Sequence, residues 1–182
     1  MLDNLEGMFS FVIYDKFQNT IYFARDRFGI KPIYYFENNL KIVFSSEIKP
    51  LLKYTSNKLD NLKSLDFFLK QSMDNDDSTF FNKIKSLKPS YYGIVKSNNF
   101  KLEKYWSINK KNFNKENTSE TKKKIKKLFS DSIKKHLISD RKIGFFFSGG
   151  TDSTSIISTA KKYLKDPKLF TYEFISNNKE IS

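Results

Sequence analysis

The stretch "KIGFFFSGGTDSTSIISTAKK", residues 142–162, decides how the second half of this chain is read. Apolar residues from Ile143 to Phe147 run into Ser148-Gly149-Gly150, and an amphipathic segment follows at once. That order predicts a strand over 142–147, a tight turn, and a helix over 152–164. A second strand over 169–175, set off by Asp166-Pro167, completes a β-α-β unit. Such a unit favours a parallel sheet with a right-handed crossover. A turn from a parallel strand into a helix suits an anion. The first helical amides have no intrahelical partners, and the helix dipole favours negative charge there.

Gly149 and Gly150 let a phosphate approach the main chain, and Ser148, Ser153 and Thr154 add hydroxyl donors. Asp152 cannot hold a bare phosphate; it acts through Mg²⁺, as a helix cap, or by orienting the loop. The loop is not a Walker loop, because no Lys follows, and it is not Gly-x-Gly-x-x-Gly. It suits a pyrophosphate that is held and then leaves, so adenylation is the natural reaction class. The plain alternative is a strand-to-helix turn with good capping residues.

Working upstream, a helix is expected over 119–138, with Ser119 as its cap and Glu120 at its positive end. Its apolar face is Ile125, Leu128, Phe129, Ile133 and Leu137. Residues 107–118 lose all apolar periodicity and read as a linker between a unit over 1–106 and one over 119–182. The first unit reads as β-structure. Strands are expected over 8–15, 20–27, 33–37 and 41–47, then a short helix over 48–54 with Pro50 in its first turn. A helix over 60–71 follows, with Leu62, Leu65, Phe68 and Leu69 at helical spacing after Asp60. Asp74, Asp76 and Asp77 hint at calcium, but the Gly and distal Glu of a calcium loop are missing, so a solvated turn is the better reading. "YYGIVKS" and "FKLEKYW" bracket Asn98-Asn99 as a further hairpin.

Composition narrows the chemistry. The 182 residues hold no cysteine, which excludes disulfides, thiolate metal sites and a thiol nucleophile in this chain. The single histidine, His136, lies on a predicted helix and supports no Ser-His-Asp triad. No protein metal site is assigned. The net charge of +13 comes from scattered Lys without the aromatic interleaving that reads bases. No nucleic-acid or membrane partner is expected, and a soluble, cytoplasmic protein is. A basic, non-catalytic nucleic-acid-binding module is the alternative class; steep salt dependence of binding to DNA or RNA is its signature.

"SGGTDST" resembles the PP-loop of ATP pyrophosphatases, which cleave ATP to AMP and pyrophosphate. "LDNLEGMFSFVIYD", "FARDRFGIKPIYYF" and "VFSSEIKPLL" resemble, in order, the second half of the glutaminase domain of glutamine-dependent asparagine synthetase. "YYGIVKSNNFKLEKYW" resembles the end of that domain, and "KHLISDRKIGFFFSGGTDST" the entry to the synthetase domain. The resemblance implies an α+β then α/β fold. A partial Ntn-hydrolase-like (glutaminase type 2) sheet layer precedes the first β-α-β of a parallel-sheet PP-loop domain. It also implies a reaction. Glutamine is hydrolysed at an N-terminal cysteine, and ammonia passes through a tunnel to an aspartate activated by ATP and Mg²⁺ as β-aspartyl-AMP. The products are asparagine, glutamate, AMP and pyrophosphate, and a homodimer is one expectation for the full-length enzyme. Ser148, Gly149, Gly150, Asp152, Ser153 and Thr154 match the ATP-binding motif, with Thr151 at its variable place.

The family's catalytic cysteine, glutamine-binding residues and aspartate-binding residues have no counterpart here, so no catalytic residue is assigned and a fragment is expected. A relative acting on another carboxylate, of a sugar or a secondary metabolite, fits the same blocks. Pro89-Ser90-Tyr91 stands where the family tends to place Pro-Gly-His, which leaves a local turn open. Arg25, Asp26 and Arg27 are expected to pair among themselves and with Glu47.

Overall fold

The computed structural model describes residues 1–38, 40–55, 59, 62, 65–66, 69, 77–97, 99–108 and 118–172. The chain divides into two compact units, residues 1–111 and 112–182.

The first unit is built on two antiparallel sheets. Strands β1 (Ser10–Asp15), β2 (Thr20–Arg25), β6 (Tyr91–Lys96) and β7 (Asn99–Lys104) form one sheet in the order β1-β2-β6-β7. Strands β3 (Tyr34–Glu37), β4 (Ile42–Ser45) and β5 (Ile84–Ser86) form the other, in the order β4-β3-β5. Hairpin chemistry is local. Asp15 accepts from the amides of Phe17 and Gln18, and Asn19 takes the left-handed backbone that asparagine tolerates. The Asn38 side chain does the same for Leu40 and Lys41.

Alternation puts one face of each sheet in the core. Phe23 and Phe100 from the larger sheet meet Tyr35 and Phe44 from the smaller, with ring centroids 4.7–6.4 Å apart. Ile33 and Leu87, on the segments entering and leaving the smaller sheet, close the cluster. Gly93 is needed opposite Phe23: a Cβ there would lie 2.1 Å from the ring. Helix α1 (Ile48–Leu51) begins after Glu47, has Pro50 in its first turn as expected, and continues as a 3₁₀ turn, Leu52–Tyr54. Leu62, Leu65, Asp66 and Leu69 are helical, in line with the expected 60–71 helix, while Asp60 and Phe68 lie outside the described residues. So do Asp74 and Asp76 of the calcium-like run.

The second unit is a helix followed by a small parallel β-α-β. Helix α2 runs Thr118–His136. Ser119 therefore sits inside its first turn and is not its cap. Of the expected apolar face, Ile133 is buried while Ile125, Leu128 and Phe129 are exposed. Strand β8 (Gly144–Phe146) pairs in parallel with β9 (Lys168–Phe170), and α3 (Thr151–Ala160) joins them. The strands are shorter than apolarity predicts, and residues 173–175 lie outside the described ones. Among the described residues no helix is long and apolar enough to cross a membrane.

Candidate nucleotide-binding loop

The turn after β8 is set by two backbone events. The Phe147 amide donates to Phe170 O at 2.7 Å, which extends the parallel pairing by one bond. Gly149 then takes φ +77°, in the left-handed region open to glycine, and reverses the chain. Nothing lies within 4 Å of where a Gly149 Cβ would stand, so the loop faces open space.

Gly150 is the N-cap of α3, in extended geometry, and offers no side chain to cap the helix. The first intrahelical bond is Thr154 N–H to Gly150 O at 3.1 Å. The amides of Thr151, Asp152 and Ser153 therefore precede the helix's own hydrogen-bond ladder, as first-turn amides do. With the dipole behind them, they present donors where an anion can reach.

The hydroxyls serve the loop more than a ligand. Ser153 Oγ donates to Gly150 O at 3.1 Å, and Thr154 Oγ1 donates to the same oxygen at 2.8 Å. Ser148 Oγ lies 3.2 Å from Ser153 Oγ. This revises the expectation that Ser153 and Thr154 supply donors: their protons already go to Gly150 O. Asp152 lies in the first turn, exposed, and is not the cap, which leaves its carboxylate for a cation or for the helix dipole. Thr151 is exposed beside it. The structure thus brings Ser148, Gly149, Gly150, Thr151, Asp152, Ser153 and Thr154 into one turn. His136 places Nδ1 2.8 Å from Ser132 O on its own helix.

A second cluster of charged residues turns out to be a structural one. Arg25 Nη2 donates to Gly29 O at 2.6 Å, Nη1 to Leu87 O at 2.7 Å, and Nε to Lys31 O at 3.0 Å. Asp26 is buried and accepts from the amides of Phe28, Ile30 and Lys31. Burial alone would raise its carboxyl pKa, but the amide donors of Lys31, Ile30, Phe28 and Phe9 outweigh it and hold the value below the usual range. Arg27 donates to Leu5 O at 2.9 Å. The expected ion pairs among these residues and with Glu47 are therefore replaced by backbone contacts. The preference is physical: three adjacent charges on a turn find more carbonyls and amides than counter-ions within reach. Pairing by opposite charge suggested itself in the sequence; a loop folded around a carboxylate did not.

Ser90 completes this cluster. It is buried at φ +67°, donates from Oγ to Arg27 O at 2.9 Å, and from its amide to Asp26 O at 3.0 Å. A serine thus holds the left-handed turn where the resemblance favours glycine.

Residues 1–106 match the glutamine amidotransferase domain family, and residues 124–182 match the asparagine synthase family. Among curated relatives, the glutamine-hydrolysing asparagine synthetase 1 of Bacillus subtilis is 34% identical over 93% of this chain and 27% of its own length. Asparagine synthetase 3 of the same organism is 28% identical over 87% of this chain and 26% of its own length. Amidase chry2 of Gibberella zeae is 28% identical over 90% of this chain and 25% of its own length. The chain therefore spans about a quarter of the length of these relatives.

Proposed function

Because this chain belongs to the glutamine amidotransferase family and runs into the start of an asparagine synthase domain, we propose that it is part of a glutamine-hydrolysing asparagine synthetase and contributes that enzyme's pyrophosphate grip. In this reading residues 1–106 are the C-terminal part of an Ntn-type glutaminase domain and 119–182 the N-terminal part of the PP-loop domain. The observation that carries it is the joint presence of both family blocks, in order, with an open, uncapped helix N-terminus at the end of β8.

The division of labour follows from the loop. The amides of Thr151, Asp152 and Ser153 hold the β- and γ-phosphates of ATP, and Gly149 lets them approach. Ser153 and Thr154 lock the turn against Gly150 O, and Ser148 packs its hydroxyl on that of Ser153. Among the described residues no three acidic or imidazole groups converge on a cation site. Asp152 would be the protein carboxylate that holds Mg²⁺, and the ion would supply positive charge to the pyrophosphate leaving group. With no cysteine, this polypeptide supplies no thiol for glutamine hydrolysis. Glutamine, aspartate and a homodimeric partner belong to the whole enzyme.

The amidase named among the relatives supports a second reading, in which the same ATP grip activates a different carboxylate. Aspartate-dependent exchange of labelled pyrophosphate into ATP, in the longer protein of which these blocks are characteristic, separates the two.

The binding role is tested on the chain itself by titrating Mg²⁺-pyrophosphate into ¹⁵N-labelled protein. Weak binding is expected, with amide shifts confined to Gly149–Thr154. Shifts spread over the lysine-rich face of α2 and absent from the loop would sink the proposal. Measurable glutamine hydrolysis by the purified chain would contradict the reading of its amidotransferase half.

A further inference from the structure

Strand β8 opens on a glycine that no turn requires. Gly144 stands opposite Lys168 of β9, and Phe170, two residues further along β9, stands opposite Phe146. The Phe170 ring leans back onto Gly144. A Cβ at Gly144 would lie 2.6 Å from Phe170 Cε2 and 3.3 Å from Cδ2. Glycine inside a strand permits such an approach, and diagonal cross-strand neighbours lie within reach of an aromatic side chain. The ring also meets Phe146, with centroids 6.3 Å apart. The same residue has a second task at its main chain. Its carbonyl accepts the Phe147 amide at 2.7 Å, which carries the parallel pairing up to the loop. Only Ser148 and Gly149 separate Phe147 from Gly150, the N-cap of α3.

We propose that Gly144 and Phe170 are a positioning pair for the nucleotide loop. The ring seats on the bare Cα of Gly144, and that seat fixes where the Phe170 carbonyl holds Phe147. The placing of the Thr151, Asp152 and Ser153 amides follows from it, through the short span of Ser148 and Gly149. The inference rests on the pyrophosphate reading of the loop and deepens it: affinity for the anion is set in part by a ring on the neighbouring strand, outside residues 148–154. Gly144 does not share the left-handed backbone of Gly149. An alanine therefore fits its conformation, and only the ring stands against the methyl. Cδ2 is bonded to the carbon that attaches the ring, and it too is in close contact. Relief therefore moves the residue as a whole and draws its carbonyl off the Phe147 amide.

Gly144→Ala in the 182-residue chain tests the pair in two readouts. In ligand-free ¹⁵N spectra the amides of Gly149–Ser153 should shift, while the far-ultraviolet spectrum stays unchanged. Affinity for Mg²⁺-pyrophosphate should fall about tenfold, because overpacking strain leaves only a fraction of molecules with the loop in its binding geometry. Phe170→Leu, which takes the ring from its seat, should weaken binding by a smaller factor. The double variant should bind no worse than Phe170→Leu alone and more tightly than Gly144→Ala, a rescue that general destabilisation does not produce. If Gly144→Ala alone unfolds the second unit, the double variant carries the test: refolding supports the pair, and failure to refold overturns it. A ring that swings aside alone would leave the Gly149–Ser153 amides unshifted, which overturns the proposal. So does equal weakening by Gly144→Ala with Phe or Leu at position 170. A wild-type loop that ignores Mg²⁺-pyrophosphate sinks the pyrophosphate reading instead, and the ligand-free shifts still decide whether Phe170 positions the loop.

Discussion

Replacing Asp26 by Asn tests whether one carboxylate organises the turn between β2 and β3. The carboxylate is 1% exposed and accepts three amides: Phe28 at 3.1 Å and Ile30 at 3.0 Å on Oδ1, and Lys31 at 3.0 Å on Oδ2. An asparagine oxygen at Oδ1 would set its NH₂ against the Lys31 N–H. One buried donor is then unpaired, at about 1–3 kcal/mol. The other two bonds lose their ionic character, which roughly halves their strength. The expected loss is about 2–4 kcal/mol, a large part of the stability of a domain this size. The acid dependence has a definite sign. The folded-state pKa is lowered, so the stabilisation is full above the unfolded value of about 3.9 and is lost as pH falls through the folded value. The gap between wild type and Asp26→Asn should therefore shrink as the solution is acidified from neutral pH. Urea unfolding followed by fluorescence reads this directly, because Trp106, the only tryptophan, stacks edge-to-face on Phe28 at 5.5 Å. A variant within about 0.5 kcal/mol of wild type, or a gap constant with pH, would refute the assignment.

Three further substitutions probe the core. Gly93→Ala drives a methyl to 2.1 Å from the Phe23 ring, the hub of the aromatic cluster, and should lower the urea midpoint by the equivalent of about 1–3 kcal/mol. Tyr35→Phe removes a fully buried hydroxyl that has no hydrogen-bond partner among the described residues, so stability should hold or rise by about 1 kcal/mol in the same assay; a clear loss would mean the hydroxyl is satisfied. Ser90→Gly relieves a left-handed backbone worth about 1–2 kcal/mol but gives up the bond to Arg27 O, worth about 1 kcal/mol, so the thermal midpoint should move little.

Much of the local structure was legible because its causes are local. Alternating apolar residues within 10–15 and 20–25, and turn residues at Gln18-Asn19 and Asn38-Asn39, specify strands and hairpins without reference to distant chain. The loop at 148–154 was legible for the same reason: two glycines and a helix start lie within one short segment. The expected Ser119 cap failed because helical geometry already begins at Thr118, and where a helix starts is set by more than the presence of a capping side chain. The exposure of Ile125 and Leu128 was not legible, because helical spacing reveals a face but not whether anything packs on it.

By itself the sequence determined the element types, the absence of a thiol, the position of the glycine turn before α3 and the family. Tertiary structure alone decided that β2 would pair with β6 across some 70 intervening positions, and that Arg25 would reach Leu87 O, 62 residues away, in place of an acid nearby. Periodicity is written into each segment by its own side chains. Choice of partner is a competition among all buried surfaces and unpaired polar groups at once, and it is settled only when the sheets have closed over Phe23 and Tyr35.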